Sequence, residues 1–570
     1  GIKVSTAEEK GQQYATYLRG VLNLPFMLGW QTCGYLETWE GTADDTGKQQ
    51  TGYFDPFGKP IEEALSQARI ANSKAVEWHE QAGTLKNVYS TKQLLRRSNG
   101  KKPQARKSPG NASKAGPIFS KFNEVKTEAT GFIGMQEIDG KWWFIDANGF
   151  GFFPVGLTHT QAFPGILEQF DSLEAYYDSA FRGMKEVGFN SLSVLSGQAQ
   201  LVAQQNGIAY THTVNLGIPH GNTYKHSDFF RPDPFSPEYD AMCRTNVRKA
   251  CALKKGDPFL LGYSYGFNPF QIPNKWINHL LSKDSLSPGK GALVDTYKAL
   301  YENDIAAFNE TYDKSYNHFD DILACTDISY EDELNPWPGE TVETPRKRDF
   351  NRLICTVIAK VHEVAHRHVR EADPDHLILG FYFKTYNMNL QMYDAIAPSL
   401  DVLSPQHHIV PEYYADGSFN YDAGVLKADE IYQRTGKPIY HGDQFLGKVD
   451  LNKPGRLLQR GKNRYPYYHS QEYRGQVYEA LLERILAFPQ IVGLAGCATL
   501  YDNPDINGSH GGNKGIFDQQ LIEKPAFTGY VETANSKIYQ LRAKDYSEDE
   551  IQALTETVVE TMDKAANSKE

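Results

Sequence analysis

From Gly131 onward, short apolar runs alternate with longer amphipathic stretches, and this alternation limits the possible folds more than any other feature of the chain. The runs are FGFFPVGL (150–157), GFNSLSVLS (188–196), GIAYTHTVNLG (207–217), FLLGYSYGF (259–267), LILGFYF (377–383), LDVLSPQ (400–406), KPIYHGDQF (437–445) and IVGLAGCATLY (491–501). Near-continuous apolar character marks strands covered on both faces, as in a parallel sheet. Between the runs lie segments such as SLEAYYDSAFRGMKEV and DFNRLICTVIAKVHEVAHRHVREAD, whose apolar residues recur at helical spacing. Eight strand–helix units predict an α/β fold, a (β/α)8 barrel with long loop insertions. No Gly-rich phosphate loop follows the first run, which argues against an open doubly wound sheet.

Composition narrows the function classes. A net charge of -11 argues against nucleic acid as a partner, since phosphate binding needs a basic face. No apolar run approaches the roughly 20 residues of a membrane span. The six cysteines have no C-x-x-C spacing, so neither a zinc ribbon nor a disulfide framework is expected, and no cofactor motif is present. Aromatics make up 12% of the chain, enough to fill a large core and also to stack on sugar rings.

Three regions are expected: an N-terminal extension (1–125) packed on the barrel, the barrel (126–545) and a C-terminal helical tail (546–570). Within the first, TKQLLRRSNGKKPQARKSPGNASKAG (91–116) is basic and free of acids. It reads as an exposed linker or as an arm for an anionic polymer. The chain starts at Gly1 without Met, so a removed signal peptide would be invisible, and a secreted or periplasmic location is the expectation.

HEVAH (362–366) spells the H-E-x-x-H of zinc proteases, in which two His share a helix face and a Glu serves as base. In this helix Ile354, Val357, Ile358, Val361, Val364 and Ala365 form the buried stripe, so His362, His366 and His368 are expected at its polar margin. An outer helix of a barrel lies far from the catalytic mouth. A zinc hydrolase therefore stands only as an alternative, and no metal is expected.

Functional groups of a barrel sit at the strand C-termini and the loops beyond. Those ends carry His159, His212 and Asn215, Tyr265 to Asn268, Tyr382 and Lys384, Gln406, His407 and His408, His441, Asp443 and Gln444, and finally Tyr501, Asp502 and Asn503, with Tyr263 a further substrate-binding candidate. Carboxylate, imidazole, amide and phenol on one rim suit gripping sugar hydroxyls and ring faces.

DGKWWFIDANGFGFFPVGL (139–157), DPFLLGYSYGFNPF (257–270), ADPDHLILGFYF (372–383), DVLSPQ (401–406), TGKPIYHGDQF (435–445) and VGLAGCATLYDNP (492–504) resemble, in order, landmarks of the β-agarases of glycoside hydrolase family fifty. The resemblance runs from about Lys126 to Tyr539. It implies a (β/α)8 glycoside hydrolase that cuts β-linkages to galactose in a red-algal galactan, with catalytic carboxylates after the fourth and seventh strands. Agar, porphyran and carrageenan are the candidate polysaccharides; the basic 91–116 stretch suits a sulfated one.

The departures bear on mechanism. Family members read G-Y-F-x-D-N-E after the fourth strand, the Glu being the acid/base, whereas Asn268 stands at that place here, and an amide donates no catalytic proton. After the seventh strand Asp443 stands at the nucleophile position. Near Cys497 the sugar-stacking Trp of the family is missing. A canonical hydrolase needs one group to protonate the leaving oxygen and a second to attack the anomeric carbon or activate water, with carboxyls ~5–5.5 Å apart for retention and ~6.5–9.5 Å for inversion. With Asp443 as base or nucleophile, its short side chain makes room for water, which suits inversion. The proton donor is then expected in SYEDELNPW (329–337), where Glu331, Asp332 or Glu333 could reach the mouth and Trp337 could stack on a ring. His159, His407 and His408 are alternative donors. A catalytically silent carbohydrate-binding barrel is the other alternative, motivated by Asn268.

Overall fold

Eight parallel strands close into a ring: β1 (Val155–Leu157), β2 (Ser191–Leu192), β3 (Ala209–Thr213), β4 (Leu260–Phe267), β5 (Ile378–Lys384), β6 (Pro405–Gln406), β7 (Ile439–Gln444) and β8 (Ile491–Gly496). The ladder runs β7-β8-β1-β2-β3-β4-β5-β6, and a parallel bridge between Leu403 and Ile439 joins the ends. The computed structural model describes residues 6–22, 52–54, 59–80, 124–158, 160, 170–193, 199–218, 231–270, 272–331, 344–384, 388–406, 412–413, 419–420, 425–444, 448–449, 457–460, 463–468, 470–497, 515–518 and 522–567. Each strand falls on a run read from the sequence, β5 alone passing its end by one residue, Lys384, and the fold is the (β/α)8 barrel expected from the alternation.

The crossover helices are α1 (Leu173–Glu186), α2 (Ala199–Ala203), α3 (Pro237–Ala252), α4 (Pro345–Ala372), α5 (Leu390–Ile396), α6 (Val425–Thr435), α7 (Gln471–Leu486) and α8 (Pro525–Ser536). Several start where a side-chain oxygen takes up an otherwise orphaned N–H: Ser172 before α1, Ser236 before α3, Thr344 before α4 and Ser470 before α7. Between β4 and α4 lies a long helical insertion, with helices at Pro273–Leu281, Pro288–Leu300, Ile305–Tyr312 and Asp321–Ala324.

The first run departs from its reading as one strand. Gly151–Phe152 pairs with a hairpin, Gly134–Ile138 and Lys141–Ile145, and only Val155–Leu157 beyond Pro154 joins the barrel. The hairpin seals the N-terminal pole. Phe144 and Phe152 pack with Ile133 against the interior residues Ala209, Leu261, Leu379, Val402, Tyr440 and Val492. Arg542 fastens this pole: its guanidinium, buried with no carboxylate among its described partners, donates to the carbonyls of Leu486, Phe488, Pro489 and Trp142. Burial pushes it down to about 9.

The chain forms two compact units, Gly1–Ala112 and Ser113–Glu570. In the first, helices Ala7–Leu22 and Glu62–Ser73 pack through Leu18, Leu22 and Ala71. In the second, the terminal helix Glu548–Asn567 packs on α7 through Val477, Leu481, Val558 and Met562. The basic stretch 91–116 lies outside the described residues. Among those described, no helix is long and apolar enough to cross a membrane.

His362 and His441 are wholly enclosed, and burial pushes both down to about 4 from an ordinary value of 6.5. A His whose folded value is depressed stabilises the fold only while neutral. Its contribution is complete above about 6.5 and is lost as pH falls through about 4, where charging favours the unfolded chain. Chemical-denaturation midpoints are therefore expected to fall across that interval, and His362→Gln should flatten the dependence; an unchanged slope in the variant counts against His362 as a contributor.

Candidate active site

The interior of the barrel changes character along its axis. Below, it is apolar; towards the strand C-termini Ser193, Thr211, Ser264, Tyr382 and Asp443 take over, all buried. The Tyr382 hydroxyl lies 3.0 Å from Ser193 Oγ and donates to Thr211 Oγ1 at 3.4 Å. Burial raises the Tyr382 phenol, so it stays protonated as a donor in this floor. The ring of Tyr382 lies where a side chain at position 442 would be: a Cβ on Gly442 would come 2.2 Å from its Cε1. Gly442 lets β7 pass over the phenol, and the next residue is Asp443.

Asp443 is 7% exposed. Gln406 Nε2 on β6 donates to its Oδ2, and Thr158 Oγ1, just past β1, lies 3.5 Å from Oδ1, at the outer limit for a hydrogen bond. Contacts from β6, the strand beside β7, and from β1, two places away on the other side, locate the carboxylate over the bore and not in the wall. Asn268 follows β4 and is buried; its backbone N–H donates to the Tyr382 carbonyl and its Oδ1 accepts from Phe270 N–H. Its Nδ2 has no partner among the described residues.

Other expected site residues fall elsewhere. Tyr263 faces the helix layer, not the mouth, and its hydroxyl donates to Asp373 at 2.6 Å. The cause is local. Gly262 has φ +152 and the β3–β4 register shifts beside it, so the two-residue alternation slips and Tyr263 turns outward while Ser264 turns in. Tyr382 belongs to the floor, fully buried, rather than to a sugar-facing surface. Gln444, 1% exposed, bonds His441 Nδ1 at 3.2 Å and the Pro405 carbonyl at 3.4 Å, within the wall between β6 and β7. Glu331 is exposed. Its neighbour Tyr330 is tied to Asn278 by two hydrogen bonds, N–H to Oδ1 at 2.9 Å and carbonyl from Nδ2 at 2.8 Å, so the root of the acid-rich segment is fixed to the helix that follows β4. His159, Asp332, Glu333, Trp337, His407, His408, Tyr501, Asp502 and the side chain of Lys384 lie outside the described residues.

Thr158, Ser193 and Thr211 were not anticipated. Reading S-L-S (191–193) and T-H-T (211–213) at period two would have brought out small hydroxyls on the bore side.

Several solved structures share this architecture. The agarase AgWH50C superposes with a TM-score of 0.57 at 17% identity, covering 75% of this chain and 69% of that one. An exo-beta-agarase gives 0.54 at 18%, covering 73% and 66%, and BpGH50 gives 0.52 at 18%, covering 76% and 86%. The fold is that of the agarases. No protein-family model and no curated protein matches the sequence.

The helix carrying HEVAH does not join the mouth of the barrel. His362 is fully buried, not at the polar margin, because it packs among the Tyr265, Phe381 and Phe383 rings while its Nδ1 meets the Ile358 carbonyl at 2.8 Å. His366 Nδ1 meets the Ser399 carbonyl and His368 Nε2 meets Asp240, while Glu363 pairs with Lys360. The three imidazoles thus have separate partners. Among the described residues no group of His, Cys, Asp and Glu is arranged to hold a metal.

Proposed function

We propose that the barrel is a glycoside hydrolase acting on a galactan, with Asp443 as the base or nucleophile. The observation that carries this reading is the Asp443 carboxylate, held over the bore at the end of β7 by donors from β6 and from just past β1. The agarases with the same fold lend support to a β-galactosidic polysaccharide, agar, porphyran or carrageenan in type. A substrate of that size implies action outside the cytoplasm, so secretion or periplasmic export belongs to the same reading.

The acid is assigned to the 331–333 carboxylates, whose segment springs from the anchored Tyr330 beside the helix after β4. With a short Asp as base, space for a water between carboxylate and sugar favours inversion. Incubation with agar, porphyran and carrageenan oligosaccharides, product sizing and NMR of the first anomer released tests substrate and stereochemistry together. Release of the linkage configuration unchanged would convert Asp443 from base to nucleophile.

Glu331→Gln, Asp332→Asn and Glu333→Gln, made singly, identify the donor. One is expected to lower turnover by about 100-fold on natural linkages and far less on aryl glycosides, whose leaving group needs little protonation. Three variants with wild-type turnover would move the role to His159, His407 or His408. The Asn268 amide supports a second reading, a barrel that binds oligosaccharide without cleaving it; calorimetric binding with no new reducing ends would favour it.

A further inference from the structure

Gln406 was expected to contact sugar, yet its amide is turned along the rim to Asp443. We propose that Gln406 and Thr158 are positioning residues that clamp the two oxygens of the Asp443 carboxylate from opposite sides. The clamp follows from side-chain length. An Asp at the end of β7 keeps its carboxylate level with the strand termini, within reach of wall groups on β6 and β1; a Glu would carry it one methylene past them.

The two donors approach different oxygens, Gln406 at Oδ2 and Thr158 at Oδ1, so rotation about the last side-chain bond costs at least one of them. Both are neutral. They favour the ionised carboxylate without contributing a cation that would compete with charge developing on a sugar. Gln406 is 5% exposed, in keeping with a wall residue.

Titratable groups near Asp443 include Tyr382 on β5, whose phenol the carboxylate helps to raise, and Tyr440 and His441, its neighbours along β7. Burial raises both phenols, and His441 is held neutral by burial and bonded to Gln444. None of these supplies a positive charge to the carboxylate at neutral pH. The amide and the hydroxyl are the contacts to the two carboxylate oxygens on which the clamp rests.

The catalytic consequence rests on the hydrolase reading; the clamp does not. Two measurements separate them. The first is an infrared titration of the full chain labelled with carboxyl-¹³C aspartate, with Asp443→Asn subtracted to isolate the one band. Gln406→Leu is expected to raise the midpoint of that band by about one pH unit, and Thr158→Val by less, in line with its longer contact; Thr158→Ser should restore the wild-type midpoint. The second is steady-state kinetics on the best galactan oligosaccharide. Gln406→Leu should lower kcat by about 30-fold with KM changed less than about threefold, the mark of a group acting through the catalytic residue.

An unmoved carboxylate band in both Gln406→Leu and Thr158→Val overturns the clamp. A raised KM with kcat retained overturns it as well, and returns Gln406 to the sugar. If the band moves but Asp443→Asn keeps full turnover, the clamp stands and the hydrolase assignment of Asp443 fails. Circular dichroism of each variant checks that the barrel has formed.

Discussion

Asp443→Asn is expected to cut turnover on galactan oligosaccharides by about 10³-fold or more while leaving the thermal midpoint close to that of the parent chain. The change removes a charge and no volume. Its side-chain neighbours, Gln406 and Thr158, both offer polar atoms that can meet an amide after a flip, so the fold loses little. Activity, by contrast, depends on what the amide lacks: it neither takes a proton from water nor attacks an anomeric carbon. Initial rates of reducing-end release at saturating oligosaccharide provide the measurement. Near-normal rates would remove Asp443 from the chemistry. External azide adds a second readout, since Asp443→Gly leaves a space that a small anion can enter. A rescued reaction is expected to yield a glycosyl azide of inverted configuration, which places the vacated space opposite the leaving group; the anomer released by the parent chain then tells nucleophile from base.

The second large effect concerns stability at the opposite pole. Arg542→Met should destabilise the barrel by on the order of 3–5 kcal/mol, because it removes this donor from the carbonyls of Leu486 and Trp142 and one of two donors from those of Phe488 and Pro489, which keep the N–H groups of Ile491 and Trp142. Met keeps much of the aliphatic packing beside Trp143 and Phe153, over whose rings the guanidinium lies 5.6 and 5.7 Å from the centroids. What is lost is thus mainly the hydrogen bonding. Equilibrium urea unfolding measures it. The catalytic constants should stay near the parent values below the new midpoint, since Arg542 touches only the sealed pole; a variant as stable as the parent would mean that these four carbonyls find other donors.

Much of the barrel could be read from the residues because strands covered on both faces must be apolar throughout, and each such run is bounded by turn formers. LILGFYF and IVGLAGCATLY each hold a strand for this reason. The reading was weaker where the backbone departs from regular alternation. Which face Tyr263 takes depends on a one-residue slip at Gly262, and nothing in Y-S-Y-G-F announces where the slip falls. The same limit applies to FGFFPVGL, where Pro154 divides two strands that belong to different sheets. The apolar stripe of Ile354, Val357, Ile358, Val361, Val364 and Ala365 leaves His362 at its polar margin on paper; three aromatic rings and one carbonyl give it a dry place instead. At the mouth, Asp443 was legible as a carboxylate at a strand end. Its partners were less so, since Gln406 and Thr158 are 37 and 285 positions away and meet it only when the ring closes.

That closure is uneven. Around most of the ring, neighbours share ladders, whereas β6 is two residues long and meets β7 through the Leu403–Ile439 bridge. The Gln406–Asp443 contact spans this same joint. The weakest suture of the cylinder and the proposed reactive edge therefore coincide, and a saccharide that grips both sides would act as a stitch. Occupancy should then slow local opening of the β6–β7 seam, seen as retarded amide exchange at Leu403 and Tyr440, whose N–H groups bridge it.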